Sequence, residues 1–240
     1  MKQPIKKDVI IALDFPTGAE AIGFLDRFRD RKPFVKIGME LFYAEGPDIV
    51  RAIKSRGHRL FLDLKLHDIP NTVRRAMAVL SRLDVDMVNL HAAGTAAMMS
   101  AALDGLTRPD GSRPLLIAVT QLTSTGPDAL RDELLIPVPM EETVLSYAKT
   151  AAGCRLDGVV CSPLEAAAVK QRCGNDFLTV TPGVRFAGGG ADDQKRVMTP
   201  ELARAGSDFI VMGRPITQAG DPVAAYTKAV EAFAGQEAAL

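Results

Sequence analysis

Hydrophobic residues along this chain fall into two rhythms that take turns. Between Arg59 and Leu66 they alternate, with Leu60, Leu62, Leu64 and Leu66 on one face and Phe61, Asp63 and Lys65 on the other. A period of two predicts a strand. Comparable β-rich runs occur at Val9–Phe15, Phe34–Gly38, Met87–His91, Leu115–Leu122, Gly158–Cys161, Leu178–Thr181 and Phe209–Met212. Between them the apolar spacing turns helical, over Ala19–Arg31, Pro47–Gly57, Asn71–Leu83, Ala96–Leu106 and Glu141–Gly153. Further helical segments are Pro163–Cys173, Lys195–Ala205 and Pro222–Ala234. Strands alternating with helices of this length predict βαβ units joined in a parallel sheet. Eight such units in 240 residues fit an α/β fold, a single (β/α)8 (TIM) barrel spanning residues 1–240, better than an open doubly wound sheet. Two long loops interrupt the rhythm, Thr107–Pro114 and Ser124–Pro139, and the second is a candidate cover for a site.

Composition narrows the class. Lys+Arg and Asp+Glu both number 29, so no bulk charge draws the chain to nucleic acid or an anionic membrane. Cys154, Cys161 and Cys173 show no metal spacing, and an odd number argues against a disulfide framework. The apolar run Val9 to Leu13 is cut short by Asp14, which is too brief for a signal peptide, and no later run is long enough to span a bilayer. A cytoplasmic protein is the expectation.

A barrel places its chemistry at the C-terminal ends of the strands. The polar residues there are Asp14, Lys36, Asp63 with Lys65, His91, Gln121 with Thr123, Ser162, Thr181 with Arg185, and Arg214. Taken singly, each has a structural explanation: Asp14 as a helix cap, Lys36 as a solvated charge, His91 as a satisfied histidine. The densest stretch is Asp63, Lys65 and Asp68, with Pro70 set to open the next helix. An Asp–Lys pair can also close a barrel as a structural ion pair. Three charges crowded among apolar residues, however, are costly unless they pair, and suggest function.

The last quarter carries an anion-binding pattern. Thr181-Pro182-Gly183-Val184-Arg185 ends the seventh strand, Gly188 to Gly190 follow, and Val211-Met212-Gly213-Arg214-Pro215-Ile216 ends the eighth. Loops after the last two strands of such barrels commonly hold a phosphate. Gly213 would let a backbone N–H approach an anion, and Arg214 offers a fork suited to phosphate oxygens. The glycine run is otherwise a plain flexible linker.

Asp63-x-Lys65-x-x-Asp68 followed by Ile69-Pro70-Asn71-Thr72 resembles the signature of the orotidine 5′-phosphate decarboxylase family. In the same order, Ala12-Leu13-Asp14, Lys36-Ile37-Gly38, Gln121-Leu122-Thr123-Ser124 and the two arginine-bearing endings match over nearly the whole chain. The resemblance implies decarboxylation of orotidine 5′-monophosphate to uridine 5′-monophosphate in de novo pyrimidine synthesis, with no metal or organic cofactor. It implies that Lys65 protonates C6 of the pyrimidine, within a charge array of Lys36, Asp63, Lys65 and Asp68. Asp14 and Lys36 would hold the ribose, Thr123 would contact the pyrimidine, and Pro182 would pack beside it. Arg185, Gln194, Gly213 and Arg214 would bind the phosphate. Asp63 and Ile69 also belong to the implied substrate-binding set. A homodimer is implied too, with Asp68 and Thr72 reaching into the partner's site. Two rivals remain: a magnesium-dependent sugar-phosphate decarboxylase sharing the D-x-K-x-x-D core, and a non-enzymatic barrel that only binds phosphate.

Overall fold

The computed structural model describes residues 7–188 and 198–235. Eight strands, β1 (Asp8–Ala12), β2 (Phe34–Gly38), β3 (Leu60–Leu66), β4 (Met87–His91), β5 (Leu115–Val119), β6 (Gly158–Val160), β7 (Leu178–Thr181) and β8 (Phe209–Met212), close in chain order into a parallel barrel. Around them run α1 (Gly18–Leu25), α2 (Met39–Glu45), α3 (Pro47–Lys54), α4 (Pro70–Leu80) and α5 (Thr95–Leu106). The second half adds α6 (Met140–Gly153), α7 (Ala166–Cys173), α8 (Pro200–Ala203), α9 (Arg214–Thr217) and α10 (Pro222–Ala234).

Alternation along the strands sorts their side chains into two cores. Ile10, Phe34, Phe61, Met87, Ile117, Leu178 and Phe209 fill the barrel interior. Val9, Ile11, Val35, Ile37, Leu60 and Leu62 pack outward under the helices. Phe34 and Phe209 meet edge to face inside, with ring centroids 5.8 Å apart. The expected strands agree, save that β1 and β5 end three residues earlier than the pattern indicates, at Ala12 and Val119. Leu13 and Thr120 still donate backbone hydrogen bonds to the neighbouring strand, at 2.8 and 3.1 Å, before the chain leaves the rim.

Two short helices escape the periodicity. α2 follows β2 without a break and buries only Leu41, and α9 is a single turn after Gly213. The expected helix Lys195–Ala205 is helical over Pro200–Ala203 among the described residues. Asp14 does not cap α1. Thr17 does, its hydroxyl accepting from the Glu20 N–H at 3.3 Å. The Ser124–Pro139 loop contains one π-helical turn, Ala129–Glu133.

The N-terminal face of the barrel is built for stability. Asp86, Asp157 and Asp208, each just before an even-numbered strand, accept the backbone N–H of Leu60 (2.7 Å), Leu116 (2.8 Å) and Thr179 (2.8 Å) on the preceding strand. Each carboxylate also pairs with a base: Lys54, Arg113 and Lys170 respectively. These charges sit at the end of the barrel opposite the cavity described next. Among the described residues no helix is long and apolar enough to cross a membrane.

Candidate active site

A cavity of about 290 Å³ opens at the C-terminal ends of the strands, near the lower end of the small-molecule range. β1 carries the chain to Asp14, β2 presents Lys36, and β3 presents Asp63 and Lys65, all lining this cavity. Lys36 Nζ lies 3.2 Å from Asp14 Oδ1 and 3.3 Å from Asp63 Oδ2. Lys65 Nζ lies 2.7 Å from Asp63 Oδ1. The result is an alternating row, Asp14–Lys36–Asp63–Lys65, in which every charge has an opposite neighbour.

The row keeps its middle members ionised. Burial by itself would raise the Asp63 carboxyl, but Lys36 and Lys65, with hydrogen bonds from Lys65 and Asn89, hold it below the ordinary carboxylate value. Burial likewise opposes the Lys36 charge, yet Asp63 and Asp14 leave its pKa above that of an ordinary lysine. Both Asp63 oxygens are thereby occupied, one by Lys36 and the other by Lys65 and Asn89.

Other sequence-derived candidates divide. Gln121 and Thr123 after β5 line the cavity, as do Pro182, Gly183 and Arg185 after β7 and Gly213 and Arg214 after β8. The two arginines and their loops therefore share one end of it. Gly183 needs its residue type, standing at φ 78°. Gly213 has φ −104°, and a Cβ there would meet Ala12 Cβ at 3.5 Å and Asp14 Oδ2 at 3.6 Å, ordinary contacts. Thr181 is fully buried, its hydroxyl 2.8 Å from Ser207 Oγ. Ser162 is buried and its N–H donates to Glu165. His91 stands beside His67, with ring centroids 5.7 Å apart, away from the cavity lining. Gln194, with Gly189 and Gly190, lies outside the described residues.

Asp68, Ile69 and Thr72 do not line the cavity of their own chain. All three are exposed at the start of α4, and Asp68 Oδ1 accepts the Ile69 N–H at 2.6 Å. Asn89, in contrast, lines the cavity and was absent from the sequence-derived set. Its signal was there to read: an amide is out of place in the middle of an apolar strand, Met-Val-Asn-Leu-His.

Fold and site together define a (β/α)8-barrel enzyme with a lysine–carboxylate row lining the cavity at its strand ends, the face where such barrels carry their chemistry. Residues 7–229 match the model of the orotidine 5′-phosphate decarboxylase / HUMPS family, and the chain belongs to that family. It is 55% identical over 232 residues to an orotidine 5′-phosphate decarboxylase of Geobacillus sp., covering 95% of this chain and 97% of that one. To the protein of the same name from Streptococcus pyogenes serotype M3 it is 58% identical over 228 residues, covering 94% and 97%. The crystal structure of orotidine 5′-phosphate decarboxylase from Lactobacillus acidophilus superposes with a TM-score of 0.85 at 44% identity, covering 95% of this chain and 99% of that one.

Proposed function

We infer that this enzyme is a carboxy-lyase that converts orotidine 5′-monophosphate to uridine 5′-monophosphate. The observation that carries the reading is the row Asp14–Lys36–Asp63–Lys65 lining the cavity, in a chain 55–58% identical to relatives named for that activity.

Loss of carbon dioxide from C6 leaves a carbanion that its own ring stabilises poorly. An ammonium fixed beside that carbon stabilises the developing charge and then quenches it with a proton. Lys65 takes this role, held by Asp63 at 2.7 Å. Asp63, with Asp68 contributed across a homodimer, also repels the substrate carboxylate. Two like charges at about 4 Å cost about 4 kcal/mol at an effective dielectric near 20. Enzymes lower barriers by about 8–23 kcal/mol. Repulsion is therefore the lesser contribution, and the preorganised Lys65 ammonium is the greater.

The remaining roles are those that the family resemblance implies. Asp14 and Lys36 hold the ribose hydroxyls, Thr123 meets the pyrimidine, and Pro182 packs beside it. Arg185, Gln194, Gly213 and Arg214 take the phosphate, far from C6, where its binding energy serves positioning and loop closure. Asp68, Ile69 and Thr72 serve the site of a partner subunit in a homodimer. Their exposure on this chain, with Ile69 at 67%, accords with a surface that a second copy covers. The reading needs no cofactor, and it places the enzyme in the cytoplasm.

The sugar-phosphate alternative requires the acids to bind magnesium. Asp63 is poorly suited to that, because three donors already take its oxygens. The deciding experiment follows the ultraviolet absorbance of orotidine 5′-monophosphate with the protein in excess EDTA. The orotate chromophore should disappear with the wild-type chain and persist with Lys65→Ala. A folded protein that leaves it unchanged refutes the reading. Substantial turnover by Lys65→Ala alongside complete loss in Asp68→Ala would reverse the ranking of stabilisation over repulsion.

A further inference from the structure

The ladder between β3 and β4 is broken where the chemistry lies. Leu62 pairs with Val88 and Leu66 with Leu90, so four residue steps on β3 face two on β4. Lys65 stands in this bulge at φ 51°, in the left-handed region that lysine seldom visits. A backbone of that kind persists only where its surroundings hold it. Asn89, on β4 and 1% exposed, supplies the hold.

The Lys65 N–H, displaced from the ladder, donates to Asn89 Oδ1 at 2.8 Å. Asn89 Nδ2 donates to Asp63 Oδ1 at 2.7 Å. That oxygen also accepts the Lys65 ammonium at 2.7 Å. A single amide thus grips both ends of the lysine, its backbone directly and its charged tip through the carboxylate. The chemistry fixes which way round the amide lies, since an N–H needs the oxygen and a carboxylate needs the NH2. Neither leucine nor aspartate can replace it. Leucine would leave the Lys65 N–H and one Asp63 contact unfilled, and aspartate would set one carboxylate against another.

The structure assigns Asn89 as a positioning residue for the reaction: its amide holds the Lys65 backbone in the bulge and fixes the Asp63 carboxylate, and so sets where the Lys65 ammonium stands. This inference rests on the decarboxylase reading. The charged and titratable groups around the amide are Asp63 and Lys65 on β3 and Lys36 on β2, with His67 and His91 just beyond, at the ends of β3 and β4. The β5 side contributes Val119 and Gln121 to the same cavity.

The test compares the wild-type chain with Asn89→Leu and Asn89→Asp, measuring kcat and KM for orotidine 5′-monophosphate and the affinity for uridine 5′-monophosphate between pH 5 and 8. In Asn89→Leu, kcat should fall about 10- to 100-fold, the scale of one or two lost hydrogen bonds to charged or preorganised groups. Product affinity should stay within about threefold, because the arginines and ribose contacts are untouched. In Asn89→Asp, kcat should be lowest at pH 8 and recover as the pH falls. There a proton shared between the introduced carboxyl and Asp63 restores a donor facing an acceptor.

A wild-type kcat in Asn89→Leu overturns the assignment. So does a fall in kcat matched by an equal loss of product affinity, or an Asn89→Asp profile with no recovery toward acid. If the leucine variant does not fold, the near-isosteric aspartate variant decides the matter by its pH profile alone. No turnover by the wild-type chain itself refutes the decarboxylase reading, whereas wild-type turnover with indifferent variants refutes only the role of Asn89.

Discussion

Asp63→Asn is the sharpest probe of the charge row, because it removes a charge without opening a cavity. Asp63 Oδ1 is 2.7 Å from Lys65 Nζ and Oδ2 is 3.3 Å from Lys36 Nζ. At an effective dielectric near 20, Coulomb's law gives each contact about 5–6 kcal/mol. Desolvation of the carboxylate offsets much of this. What the substitution exposes is a broken buried pair, with Lys36 left only its contact to the exposed Asp14, a loss of about 3–5 kcal/mol. In a chain of this length 1 kcal/mol moves Tm by about 2–4 °C, so Tm at pH 7 should fall by roughly 6–20 °C.

The pH dependence of that gap has a definite sign. Burial raises the Asp63 carboxyl and the two lysines bring it below its ordinary value. A group with a lowered folded pKa contributes stability that is complete above its unfolded pKa and is lost as the pH falls through the folded one. The difference in Tm between wild type and Asp63→Asn should therefore hold from pH 7 to 5 and narrow only below about pH 4. Thermal unfolding followed by circular dichroism reads both quantities. An unchanged Tm at pH 7, or a gap that closes between pH 7 and 5, would refute the row as described.

Arg214→Ala should lower kcat/KM about 100-fold or more through loss of charge-assisted bonds to the phosphate; an unchanged initial-rate value removes Arg214 from phosphate recognition. Ile69→Arg places a charge on a surface 67% exposed in the single chain. If that surface is the dimer contact, the variant should sediment as a monomer and lose activity, since Asp68 and Thr72 would no longer reach a partner's site. A variant that stays dimeric and active would place the interface elsewhere.

The strands and longer helices were legible because their cause is local. A period of two or of 3.6 residues is written into consecutive side chains, and burial on one face enforces it. The pairing of Asp63 with Lys65 was legible for the same reason, two residues apart on one strand face. α2 was not, since Met39–Glu45 buries only Leu41 and so carries no apolar stripe to read. The row itself was decided by closure of the barrel, which brings Asp14, Lys36 and Asp63 together from three strands.

Closure also overrode local expectation. Asp68, three residues from Lys65 in sequence, is exposed and does not line the cavity of its own chain, where the chain turns into α4. Asn89, 26 residues from Asp63, bonds to it directly. No periodicity announces the bulge that puts Lys65 at φ 51°. It exists because β3 carries two more residues than β4 has places to pair, and that mismatch is a property of the two strands side by side rather than of either one.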